Sequence, residues 1–189
     1  TQQREDFLAY FEETTKKRYQ KWKIVYMHFH KFTGGKCTFG DVTVELCTRF
    51  REYLLNANQL RHKKKKVSRN SAAGYFSTFR ALLKQAYKER LLTENINDFL
   101  DYIEWEEVDR DFLTQEELIQ LAQTPCKHDI LRSASLFSCL TGLRISDIEN
   151  LQRKHIQPVP AIGLCIVITI QKTKTPVKLP LCDEAIELM

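Results

Sequence analysis

No stretch of the 189 residues comes near the ~18 consecutive apolar residues that a membrane-crossing helix needs. No basic-apolar-small pattern opens the chain, so its start does not read as a secretory signal. No two of the six cysteines stand in CxxC spacing: Cys37, Cys47, Cys126, Cys139, Cys165 and Cys182 are scattered, most of them among apolar neighbours. That spacing argues against a zinc site or a disulfide framework. It reads as reduced, partly buried thiols of a cytoplasmic protein. No metal and no cofactor are expected, the five histidines read as solvated or core residues, and no internal repeat is visible.

What is present is a globular composition, 43% hydrophobic and 28% charged, at a length that suits one large domain or two small ones. The net charge of +5 hides a division: residues 1–93 hold 20 Lys/Arg against 8 Asp/Glu, while residues 94–189 hold 9 against 16. A basic half joined to an acidic half implies two units with different surroundings. Basic surface attracts polyanions through counterion release, and nucleic acid is the usual partner. No helix with a clean basic face supports a membrane surface instead.

The apolar spacing predicts a mainly helical chain with a small β-hairpin. Helix is expected over 5–31 with a break near Thr14–Thr15, then after Asp41 or Thr43, then over Ser68–Arg90 with Ser68 as cap. The acidic stretch 96–111 reads as a linker between a helical domain, 1–95, and a second domain, 112–189. Thr114 and Glu117 form a capping-box signature, and a further helix over about Asp129–Leu140 ends at Thr141-Gly142. The β-branched run 164–170 reads as a buried strand, Val177–Leu181 as its partner, and Asp183 as the cap of a last helix. The second domain reads as truncated, because so few elements make a thin core.

Two clusters carry chemistry. Arg61-His62-Lys63-Lys64-Lys65-Lys66 leads straight into Ser68, Asn70 and Ser71 at a helix start. Free helical N–H groups, hydroxyls and cations together suit phosphate. Arg80 and Lys84, four residues apart, extend the stripe. DNA, RNA and a nuclear-targeting signal fit this cluster equally, and a merely solvated loop is the plain reading. The second cluster is Thr141-Gly142-Leu143-Arg144-Ile145-Ser146-Asp147-Ile148, where a guanidinium opens a helix and a carboxylate follows at i+3. By itself it reads as a surface Arg–Asp pair worth a few tenths of a kcal/mol.

Together, Phe112-Leu113-Thr114-Gln115-Glu116-Glu117, the run Cys139 to Ile148, and a hairpin with Lys172-Thr173 resemble the opening of the catalytic domain of tyrosine recombinases of the phage-integrase type. Ser71–Leu92 looks like the last helix of that family's core-binding domain. The resemblance implies a helical SAM-like core-binding bundle followed by a truncated α+β catalytic domain. It implies strand cleavage and rejoining of double-stranded DNA through a 3′-phosphotyrosyl bond, without metal or nucleotide.

By the same resemblance, Arg144 would be a catalytic arginine and Asp147 the supporting acid. Lys172 or Lys174 would be the general acid on the hairpin, Lys172 fitting better and Lys174 remaining a DNA contact. Lys63–Lys66, Ser68, Asn70, Ser71, Arg80 and Lys84 would face DNA. The family also carries a His-x-x-Arg motif and a late tyrosine. Here no His is followed at +3 by Arg, and the last tyrosine is Tyr102. A fragment that binds but does not cleave DNA is therefore expected, monomeric in solution, from a parent that is tetrameric on DNA. A non-enzymatic helical DNA-binding accessory protein is the alternative.

Overall fold

Short polar side chains set three of the first four helix starts. The computed structural model describes residues 6–62 and 64–189. Helix α1 (Phe7–Lys16) starts at Asp6, whose Oδ1 accepts the N–H groups of Leu8 at 2.8 Å and Ala9 at 3.1 Å. Helix α2 (Gln20–Phe32) follows Tyr19, which supplies no side-chain cap. Helix α3 (Val44–Asn56) starts at Thr43, whose hydroxyl accepts from Leu46 N–H at 3.1 Å. Helix α4 (Arg69–Lys88) starts at Ser68, as expected, with Ser71 N–H donating to its hydroxyl at 3.3 Å. Such a cap contributes about 1 kcal/mol.

The break expected at Thr14–Thr15 falls later, between Lys16 and Gln20. The Thr14 hydroxyl donates to the Tyr10 carbonyl four residues back at 2.9 Å, and that bond keeps the threonine inside the helix.

The apolar stripes meet in an aromatic core. Phe29, Phe50 and Phe79, one each from α2, α3 and α4, form a triangle whose three centroid separations are all 4.9 Å. Phe7 and Phe11 of α1 close over Phe29 at 5.6 and 6.0 Å. All five rings are fully buried.

The stretch read as a linker from residue 96 runs back along this helical unit up to residue 106. Ile96, Leu100 and Ile103 are buried in its core. Arg51 donates to the Tyr102 carbonyl at 3.4 Å and Arg69 to the Glu104 carbonyl at 3.1 Å. Asn70 exchanges two 2.8 Å hydrogen bonds with the Glu106 backbone. Three apolar residues are a weak signal among the seven acids of 96–111. The chain divides into two compact units between Asp109 and Arg110.

The second unit starts with α5 (Gln115–Gln123), where both halves of the Thr114/Glu117 capping box form, at 3.3 and 2.9 Å. Helix α6 (Asp129–Thr141) ends at Gly142, whose φ of 66° suits a residue without Cβ. Short α7 (Ile145–Glu149) leads to an antiparallel sheet of three strands in the order β1-β2-β3: β1 (Ile156–Val159), β2 (Gly163–Thr169) and β3 (Pro176–Pro180). Only the β2–β3 hairpin was expected. Strand β1 has four residues and contains Pro158, which an edge strand tolerates and a sequence pattern conceals.

Helix α8 (Asp183–Glu187) starts at Cys182 rather than Asp183, with no side-chain cap. The unit's core joins Phe137 of α6, Leu143, Ile166 of β2 and Ala185 of α8. Among the described residues no helix is long and apolar enough to cross a membrane.

Truncating Phe29 to alanine leaves a cavity at the centre of the triangle and should destabilise the first unit by about 3–5 kcal/mol. A urea unfolding midpoint left unchanged would contradict that central role. Gly74 lies within α4, where a Cβ would meet only Lys21 Nζ at 3.4 Å and Trp105 Cη2 at 3.8 Å. Gly74→Ala should therefore gain helix propensity without a clash and stabilise by about 0.5–1 kcal/mol. A lower melting temperature in calorimetry would show that Trp105 needs the bare helix surface.

Candidate nucleic-acid interface and catalytic corner

In the first unit, residues 57–62 and 64–67 form the two legs of a narrow tongue. Val67 N–H donates to the Ala57 carbonyl at 2.9 Å, and Gln59 N–H to the Lys65 carbonyl at 2.8 Å. The Gln59 amide adds a 3.1 Å bond to the Lys66 carbonyl. Lys64, Lys65 and Lys66 are exposed on the return leg, immediately before α4. Lys63 lies outside the described residues. The ion pairs found among the described residues, Lys16–Glu13 and Arg51–Glu52, are local and leave the tongue cations unneutralised. Packed like charges repel unless solvent or a polyanion compensates.

The start of α4 is less free than its sequence implies. The Ser68 and Ser71 hydroxyls bond to each other at 2.9 Å. The Asn70 amide is engaged at both ends by Glu106, so it anchors the acidic strap rather than offering donors outward. Arg80 is also not a free member of a basic stripe. Its guanidinium donates to the Asn97 side chain at 3.3 Å and carbonyl at 3.0 Å, and stacks 3.6 Å over the Tyr102 ring. The acceptors that capture these groups lie 17 to 36 residues away in sequence, which i,i+4 spacing cannot reveal. Lys84 is exposed. The tongue has a neighbour that the sequence reading missed: Lys23 of α2 faces Arg61 and His62 across a cleft of about 600 Å³. No local motif joins residues so far apart.

In the second unit, Gly142 turns the chain and Leu143 anchors it, buried, with its carbonyl accepting from the Ser138 hydroxyl at 2.8 Å. Arg144 then stands exposed as the residue before α7, and its carbonyl accepts Asp147 N–H at 2.9 Å and Ile148 N–H at 3.0 Å.

Asp147 does not form the surface pair with Arg144 that i+3 spacing suggests. It is 5% exposed, and its Oδ1 accepts the Gln171 N–H from the β2–β3 turn at 3.1 Å. Its Oδ2 is buried without a hydrogen-bond partner among the described residues. The carboxylate thus links the helix that follows Arg144 to the turn that carries the lysines. It also borders a cavity of about 440 Å³ with Asn150, His155 and Gln171.

Lys172 and Lys174 both lie in the turn, outside β2 and β3. The turn closes through Ile170 N–H to the Thr175 carbonyl at 2.9 Å and Lys174 N–H to the Ile170 carbonyl at 2.8 Å. Lys174 has a left-handed φ of 57°, while both side chains are exposed.

The cysteines divide evenly. Cys37, Cys47 and Cys165 are buried, and Cys126, Cys139 and Cys182 are exposed, all as free thiols. Burial pushes the Cys37 and Cys47 thiols up to about 12, with nearby acids adding to it at Cys37. Neither is a nucleophile near neutral pH.

A capped four-helix unit with a cationic tongue, joined to a small sheet whose turn is tied to an arginine-led helix, defines a class that comparison with known proteins identifies. Residues 4–101 match the family model of the phage integrase SAM-like domain. The match covers more than half of the chain, and the chain belongs to this family, placing it among the tyrosine recombinases. Its fold is similar to that of the protein in "Crystal structure of a lambda integrase dimer bound to a COC' core site", with a TM-score of 0.61 and 22% identity over 92% of this chain and 47% of that one. The chain thus spans about half the length of that lambda integrase chain. No curated protein matches it in sequence.

Replacing Asp147 by alanine removes the acceptor of the Gln171 amide and should destabilise the second unit by about 1–3 kcal/mol. Asp147→Asn retains an acceptor oxygen and should lose less. Amide hydrogen exchange reads the link directly: Gln171 should lose protection in the alanine variant, and unchanged protection would disprove the connection.

Proposed function

We propose that this chain binds double-stranded DNA as part of a site-specific tyrosine recombinase. The observation that carries the reading is the Asp147–Gln171 hydrogen bond, which holds a lysine-bearing turn to the helix led by Arg144. An exposed guanidinium and a mobile ammonium on one small scaffold suit the two demands of phosphoryl transfer. Arg144 forks donors onto non-bridging phosphate oxygens. Lys172, or Lys174 in its place, hands a proton to the leaving 5′-oxygen. Asp147 acts as a positioning residue, since its buried oxygens do not reach out to a substrate.

The helical unit supplies affinity. Lys63–Lys66 track the phosphate backbone, with Ser68 and Ser71 at the start of α4 and Lys84 further along that helix. The domain limits follow the sequence reading, a helical domain of 1–95, a linker of 96–111 and a catalytic part from 112, with the strap contacts of residues 96–106 added to the helical side. That lambda integrase is bound to a core site supports DNA as the partner. The parent assembles on DNA as a tetramer, works in the cytoplasm on a mobile element, and uses no metal or nucleotide. The 189 residues hold neither His-x-x-Arg nor a tyrosine after Tyr102, so the chain alone binds DNA as a monomer and forms no phosphotyrosyl bond.

A duplex titration at two salt concentrations tests the reading. Affinity should fall steeply with salt, by about 0.9 in logarithmic slope for each phosphate neutralised. Replacing Lys63–Lys66 with alanine should flatten that slope by about 3–4 with little change in base preference. Arg144→Ala should weaken binding less. Absence of duplex binding at low salt would refute the DNA-binding role, and a covalent protein–DNA adduct would refute the claim of inactivity.

A further inference from the structure

The cleft between α2, the tongue and α4 is chemically one-sided. Lys23 comes from α2, Arg61 and His62 from the tongue, and among the described residues no acid borders the space of about 600 Å³. Two helix N-termini also open onto it. Gln20 is the first residue of α2 and Ser71 the third of α4, and both line the cleft. The N-terminal end of each helix carries partial positive charge on N–H groups that have no acceptor within the helix. At α2 that deficit is not met by a cap, because Tyr19 contributes no side-chain bond.

An independent feature lies in the wall of the same cleft. His28 lines it, is 1% exposed, and has its Nδ1 buried with no partner among the described residues. Its ring is held between Tyr53 and Tyr75, with centroids at 6.1 and 5.7 Å. Burial lowers its pKa, with the Lys31 charge adding to the effect, so the imidazole is neutral near pH 7. A fully buried polar atom without a partner forgoes the hydrogen bond it makes to water in the unfolded chain. His28 Nδ1 is one of six such atoms among the described residues, and the one whose side chain stands in the wall of this cleft, where a ligand can complete it.

We infer that this cleft is a phosphate-binding site, with Lys23, Arg61 and His62 as its cationic rim, the uncapped start of α2 as its source of N–H donors, and His28 in its wall. The inference deepens the DNA-binding reading and rests on it for the source of the phosphate, a backbone phosphodiester of the duplex. The alternative source is a free phosphate or nucleotide. If the source is DNA, the interface is wider than the lysine run, and α2 shares in it through a residue 40 positions before Lys63.

Imidazole NMR of the full chain tests this, with inorganic phosphate titrated against sodium chloride of equal ionic strength. Phosphate should shift the His28 and His62 resonances saturably, and chloride should not. Lys23→Ala/Arg61→Ala should bind phosphate about tenfold more weakly, whereas Lys36→Ala/Lys88→Ala removes equal charge outside the cleft and should bind it as the parent does. All four side chains are exposed, and thermal melting verifies that each variant folds. Equal losses in the two variants, or no saturable shift, would overturn the site.

A short duplex should reproduce the His28 shift and compete with phosphate, identifying the backbone as the source. A duplex that binds without moving His28 would overturn the cleft as a DNA subsite while leaving the DNA-binding reading intact. Phosphate saturating the cleft without any duplex binding would sustain the site and overturn that reading.

Discussion

Three phenylalanines from three helices meet at 4.9 Å, and the basic face of the first unit depends on that meeting. Burying each ring contributes about 1.5–3 kcal/mol, enough to fix where α2, α3 and α4 cross. The crossing then determines what lies at the helix ends. Gln20 precedes Phe29 by nine residues and Ser71 precedes Phe79 by eight. At the helical rise these are separations of about 13 and 12 Å from the shared contact. Two positively polarised ends therefore arrive at similar height above the core, and the tongue that joins α3 to α4 is drawn in between them.

The second unit is organised around a carboxylate instead. An isolated buried charge is expensive, and a half-satisfied one is poor material for stability. Asp147 has one oxygen on the Gln171 amide and the other without a partner. This arrangement makes sense as positioning. A four-residue turn on a small sheet has few other contacts, and a charge-assisted bond to its backbone holds it to α7 whichever side chains it displays. The turn's lysines are exposed while its backbone is tied at Gln171.

The acidic strap shows how a local reading of charge can mislead. Asn70 and Arg80 read by spacing as phosphate-facing, but the Asn70 amide is taken by the Glu106 backbone, and the Arg80 guanidinium bonds Asn97 and stacks on Tyr102. The strap converts part of a basic helix face into a structural seam. Cationic character is left on the tongue, where Lys64, Lys65 and Lys66 are exposed. A basic residue is available to a ligand only if folding has not already supplied a partner.

Much of this was legible in the chain itself. Helix starts at Thr43, Ser68 and Thr114, the stop at Gly142 and the β2–β3 hairpin depend on bonds spanning a few residues, and periodicity and capping report these directly. The Thr-Gly-Leu-Arg-Ile-Ser-Asp run pointed to the family, and the match over residues 4–101 places the chain in it. Tertiary structure decided the rest, because it turns on contacts between residues far apart in sequence: Asp147 with Gln171 rather than Arg144, Asn70 with Glu106, Arg80 with Asn97, and Lys23 beside Arg61. Strand β1 escaped for the related reason that four residues with a central proline become a strand only when β2 lies beside them. Spacing along the chain shows which groups share a face, whereas packing determines which of them are already paired.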